Sequence, residues 1–146
     1  MRVRIFLAAV VAGLIGTLAF ATTAGATGVD RVLATVLTGA AEAPGPGDPD
    51  GIGAAVIAID TDTNTVCWLI VVRRITLPAT AAHIHVGAAG SPGPIVVTLT
   101  PPNARGISFG CTQDADAGAI AASPAAYYVN VHTSDFPAGA VRGQLG

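Results

Sequence analysis

The chain has 146 residues, with 18 glycines, 10 prolines, 11% charged residues and no lysine, the composition of one small, β-rich, exported domain. Seven arginines face nine carboxylates for a formal net charge of −2, and no basic run occurs anywhere. That balance makes nucleic acid and anionic membrane surfaces poor partners, and neither is expected.

Met1-Arg2-Val3-Arg4 is a short basic stretch, Ile5 to Phe20 is apolar without a charge, and Ala24-Gly25-Ala26 is a small-x-small cleavage signal. The pattern predicts a signal peptide over residues 1–26 and a domain over 27–146. A retained anchor is the competing reading, because the apolar run approaches membrane-spanning length. No stop-transfer basic cluster follows it, which favours cleavage. No cysteine follows either, so a lipid anchor lacks its attachment point. Without Arg2 and Arg4, five arginines remain against nine carboxylates, a mildly acidic −4. The expected location is secreted, either extracellular or in the cell envelope, with no membrane contact after cleavage.

In chain order, Val32 to Thr38 is a β-branched strand. Gly39 to Gly53 holds three prolines and five glycines, so it reads as a surface loop; Glu42 lies in it, as does the Asp48/Asp50 pair, whose aspartates read as solvated turn formers. Ala54 to Asp60 and Val66 to Val72 form a hairpin around Asp60-Thr61-Asp62-Thr63-Asn64-Thr65. That turn has the Asp-x-Asp-x-Asn spacing of a calcium loop but lacks the turn glycine and distal glutamate. Trp68, within the most apolar run of the domain, is expected to be the largest core side chain.

A second group of strands follows. Ala82 to Val86 carries His83 and His85, a glycine-rich loop leads through Pro94, and Ile95 to Leu99 is the next strand. Thr100 to Asp116 reads as an irregular connection. Ala115 to Ala122 offers one or two helical turns capped by Asp114 or Asp116 and stopped by Pro124. Tyr127 to His132 and Ala140 to Leu145 are the last strands, joined by a turn at Ser134 to Gly139. About seven short strands predict an all-β, antiparallel Greek-key sandwich of immunoglobulin-like or superoxide-dismutase-like type. Cys67 and Cys111, an even count in an exported chain, are expected to form one disulfide worth roughly 4 kcal/mol in the chain-entropy model.

The three histidines are the main functional clue. Side chains two apart on a strand share a face. With Ile84 and Val86 inward, His83 and His85 project outward; with Val129 and Val131 inward, so do Tyr128, Asn130 and His132. Three imidazoles from two strands make a His₃ set of the kind copper or zinc accepts, if the strands are neighbours. Asn130, Tyr128 and Arg142 are the candidate groups around it. The alternative is structural: the histidines donate hydrogen bonds to carbonyls of the adjoining loop, where Gly87, Gly90 and Gly93 supply positive φ and close backbone approach. No serine sits in a Gly-x-Ser-x-Gly elbow, and no phosphate-cradling loop is followed by a helix and lysine, so no catalytic residue is assigned.

Leu37-Thr38-Gly39 with Glu42 and Pro44, Ala82-His83-Ile84-His85-x-Gly87, Gly93-Pro94-x-Val96-Val97-x-Leu99, and Tyr127 to Thr133 followed by Pro137-x-Gly139-x-Val141-Arg142-Gly143-Gln144-Leu145 occur in this order. Together they resemble the CHRD (chordin-type) domain family over about Val32 to Leu145. The resemblance implies an extracellular β-sandwich, whose bacterial relatives are mostly single secreted domains of unassigned role; the leading expectation is a non-enzymatic domain. In animal chordins such domains accompany cysteine-rich modules that bind bone morphogenetic proteins; this sequence shows none of those modules, so growth-factor antagonism is not carried over. The His-x-His strand is also similar to the copper-ligand strand of copper/zinc superoxide dismutase, which needs more histidines than this chain has. Three readings follow: a secreted domain binding copper or zinc at His83, His85 and His132; a metal-free structural or adhesive envelope module whose partner is an extracellular protein; and, least favoured, a copper oxidoreductase. Oligomeric state is left open.

Overall fold

The computed structural model describes residues 28–146; the signal-peptide segment predicted over 1–26 lies outside the described residues. Eight strands run β1 (Arg31–Thr38), β2 (Ile52–Asp60), β3 (Thr65–Arg73), β4 (Ala81–Val86), β5 (Ile95–Leu99), β6 (Ile107–Gln113), β7 (Tyr127–His132) and β8 (Val141–Gln144), with one short helix, α1 (Ala117–Ala122), before β7. They form one antiparallel sheet in the order β5-β4-β7-β8-β1-β2-β3-β6.

That order dictates the shape. β5 and β6 are the two ends of the sheet, yet only residues 100–106 join them. Laid flat, eight strands would hold those ends roughly 34 Å apart at the usual strand spacing. The linker could span at most about 29 Å fully extended, and it spends part of its length in a turn where Gly106 N–H donates to Asn103 O at 2.8 Å. The sheet must therefore curl so that its two ends approach each other, giving a sandwich-like, nearly barrel-shaped fold.

The curl encloses a core of alternate residues from every side: Leu33 and Leu37, Ile57 and Ile59, Val66, Trp68 and Ile70, Ile84, Val97, and Val129 with Val131. Trp68 is in the core as expected, its indole N–H donating to Ser108 Oγ at 3.0 Å. Ser108 Oγ in turn donates to the Thr100 carbonyl, tying β6 to the segment leaving β5.

The sequence expectation of about seven strands misses β6. Residues 107–113 were expected within an irregular connection; they pair with β3 over Thr65 to Val71. The pattern is inverted relative to an ordinary half-buried strand. Ser108 is buried, whereas Phe109 is 74% exposed. Inward, the Trp68 indole has taken the volume: a Cβ on Gly110 would lie 2.6 Å from its ring. Cys67 and Cys111 are direct cross-strand partners on β3 and β6 and form the expected disulfide.

The Gly39 to Gly53 segment is not a freely solvated loop. It folds back on the body, with Asp48 N–H donating to Ala140 O at 2.8 Å, and Asp48 is 7% exposed; of the expected solvated pair only Asp50 is exposed. Among the described residues no helix is long and apolar enough to cross a membrane.

Candidate metal centre

β7 is central to its half of the sheet, with β4 on one side and β8 on the other. Its inward residues face the apolar core. Its outward residues, Tyr128, Asn130 and His132, lie in register with His85, His83 and Ala81 of β4. Strand parity thus puts all three histidines on one face, as expected, but that face is not open to solvent. The 87–94 loop covers much of it: Tyr128 and Asn130 are each 3% exposed and His85 is 9% exposed, while His83 and His132 are half-buried.

The cover is held by side chains reaching up from the sheet. Arg142 donates to Ser91 O at 2.9 Å and Ala88 O at 2.8 Å, and Gln144 donates to Gly87 O and Ala125 O, both at 2.8 Å. Gly93 N–H donates to the Tyr128 hydroxyl at 3.1 Å. Of the loop glycines expected to take positive φ, only Gly90 does, at +76°. Gly93 serves the other purpose, close approach: a Cβ there would lie 1.6 Å from Val86 O.

Within this enclosure one ring nitrogen from each of His83, His85 and His132 lies within 4.8 Å of the other two. The hydrogen bonds decide which nitrogens are free. His85 Nδ1–H donates to Gly93 O at 2.9 Å, and His132 Nδ1–H donates to Pro137 O at 3.0 Å. A carbonyl can only accept, so each ring carries its lone pair on Nε2. His85 Nε2 is buried with no hydrogen-bond partner, and His132 Nε2 lies 3.2 Å from His83 Nδ1. A register shift between Ile84 and His85 on the β5 side lets His85 reach Gly93.

Burial suits this trio to the neutral state. It is the main cause lowering all three pKa values, against the opposing Gly93 and Pro137 carbonyls at His85 and His132. His83, which also feels the charge of His132 and His85, is lowered to about 4. Neutral imidazoles with Nδ1 held by a carbonyl are the form in which histidine ligates a metal. Two nitrogens bound to one tetrahedral ion sit about 3.3 Å apart. The His83–His132 pair matches that separation at 3.2 Å, and the residues present fit a His₃ set.

The CHRD domain model matches residues 33–145. The chain belongs to the CHRD family. No curated protein and no solved structure matches it. The histidines, the covering loop and every strand paired with them fall inside the CHRD domain.

The residues expected around the CHRD histidines take different positions. Tyr128 touches them directly: its ring stacks on His85 at 4.8 Å between centroids and 5° between planes. Arg142 reaches Tyr128 from the opposite neighbouring strand, its guanidinium carbon 3.4 Å from the ring centroid, so it holds Tyr128 and the loop rather than a histidine. Asn130 pairs with His83 across the ladder but turns its amide to Glu42 Oε1, at 2.7 Å.

Sequence reasoning gave Glu42 no role. Its carboxyl reaches under the 39–51 segment, where burial raises its pKa to about 7 against the lowering influence of Arg142 and the Asn130 bond. The available signal was Glu42-x-Pro44 within the family pattern; nothing local to Glu42 says that a segment 88 residues away in sequence will close over it.

Proposed function

We propose that this CHRD domain is a secreted, non-enzymatic protein that holds one transition-metal ion, copper or zinc, between His83, His85 and His132. The observation that carries the reading is the unpartnered, buried Nε2 of His85, beside two more imidazoles whose nitrogens already stand 3.2 Å apart. A desolvated lone pair without a donor costs about 1–3 kcal/mol, and a cation would satisfy it. In the metal-free protein His83 Nδ1–H is placed to donate to His132 Nε2; ligation moves that proton to His83 Nε2. The disulfide and the apolar leader support export.

The test is calorimetric titration of the exported protein with Zn²⁺ and Cu²⁺, with electron paramagnetic resonance on the copper form. Stoichiometric binding, abolished in the His83→Ala/His85→Ala double variant while the fold persists, is the expected result. Binding unchanged in that variant removes the site.

A metal-free structural or adhesive module, with an extracellular protein as partner, is the second reading. It is favoured by the His85–Gly93 and His132–Pro137 bonds, which stabilise the loops whether or not an ion binds. On this reading the same double variant loses stability and nothing else. A copper oxidoreductase ranks below both and requires turnover by the copper-loaded protein.

A further inference from the structure

The half of the sheet remote from the histidines is apolar on both faces. An antiparallel sheet with one solvated face alternates apolar and polar residues, whereas continuous apolar strands mark a sheet buried on both sides. β1, β2 and β3 are of the second kind: their inward residues fill the core, yet the outward positions are also valine, alanine and leucine. The register aligns them. Ala34, Val56, Leu69 and Phe109 stand side by side across β1, β2, β3 and β6. The next row holds Val36, Ala54, Val71 and Ile107; on the other side Val32 and Ala58 lead to the Cys67–Cys111 disulfide. Val32 is 65% exposed and Val36 62%.

Polar residues mark both ends of this face. Asp60, Thr65 and Gln113 form one end row, and at the other Thr38 and Arg73 flank the exposed Ile52. An apolar centre with a polar rim is the anatomy of a protein interface. Strand and row spacings give roughly 400 Å² for the apolar rows and about 600 Å² with the rims. Two such faces together reach about 1,200 Å², the lower bound of stable association. A patch of this size lies in the range of the largest apolar patch on a typical monomer, which is often functional.

We propose that the outward face of β1-β2-β3-β6 is the interface of a twofold homodimer, packed sheet on sheet. What fits a flat apolar sheet face is another flat sheet face, and a second copy supplies one of equal extent. The charges are self-complementary: a twofold axis lying across the strands sets the Arg73 end of each copy over the Asp60 end of the other, twice. Phe109, at the β6 edge, would be covered in the contact. The inference is independent of the histidine site.

Sedimentation velocity on the exported protein, from micromolar to millimolar, tests it. The expected result is a species of twice the chain mass. Phe109→Glu and Val56→Asp, both outward and so compatible with folding, should each weaken association at least about a hundredfold, because each buries an unpaired charge in an apolar contact. Circular dichroism and metal binding should stay unchanged in both. Arg73→Glu and Asp60→Arg should each weaken the dimer, and the double exchange should restore it. A monomeric wild type at millimolar concentration overturns the proposal, as does a dimer indifferent to Phe109→Glu. A wild type that binds lipid vesicles or another protein through this face while remaining monomeric overturns it as well.

Discussion

Burial of His83, His85 and His132 makes the histidine face acid-sensitive. Folded His83 has its pKa lowered from 6.5 to about 4, with burial the main cause. A depressed folded pKa means that the unfolded chain binds the proton first. The stability this residue contributes is present above pH 6.5 and lost as pH falls through about 4. The free energy of unfolding of the metal-free protein should therefore fall across that window, with His85 and His132 acting in the same direction. Glu42 acts in the opposite sense: its folded pKa is raised from 4.5 to about 7, so its contribution is present at low pH and fades as pH rises through 7. Comparison with His83→Gln isolates the histidine part: urea titrations at several pH values should show a shallower acid slope in the variant. Equal slopes would mean that His83 is as well solvated folded as unfolded. Bound metal should move the loss to lower pH, since protons and ion compete for the same lone pairs.

At the scale of elements, the loop after β4 and the edge strand β6 each depend on a missing side chain. Gly93→Ala would place a Cβ against Val86 O, forcing the loop away and with it the carbonyl that orients His85. All three histidines survive in this variant, yet metal affinity should drop by roughly 10- to 100-fold, the usual effect of losing an outer partner. An unchanged affinity by titration would show that Gly93 has no part in orienting the ligand. Gly110→Ala pushes a methyl group into the Trp68 indole and should cost about 1–3 kcal/mol by overpacking. Reduced tryptophan burial by fluorescence would accompany it; a neutral effect would mean that the β6 edge relaxes freely. β6 escaped the sequence reading for this same reason. Its central inward positions are Ser108 and Gly110 while the outward Ile107 and Phe109 are apolar, so alternation alone gives the wrong sense of which side is buried.

For the molecule as a whole, the disulfide closes a separation of 44 residues across the directly paired strands β3 and β6. In the chain-entropy model that loop contributes roughly 4 kcal/mol, acting on the unfolded state. Replacing both cysteines by alanine should lower the unfolding free energy by about that amount, read from a shifted urea midpoint with the strand content intact. A much smaller loss would indicate that the reduced chain keeps β3 and β6 together. The curl of the sheet has a wider consequence. With β5 and β6 at the two ends of the sheet, β7 lies inside it between β4 and β8, where a loop can roof it.

Strand count to within one, the cysteine pair and the shared face of the histidines were legible in the amino-acid order alone. Each rests on local chemistry: the two-residue period of a strand, the turn preferences of glycine and proline, or an even count of cysteines. That β4 and β7 are neighbours, that Gly93 and Pro137 turn two imidazoles toward one point, and that Glu42 is drawn in beside Asn130 came only from the tertiary structure. Those contacts join residues far apart in the chain, and they form only when the curled sheet brings separate strands and loops side by side.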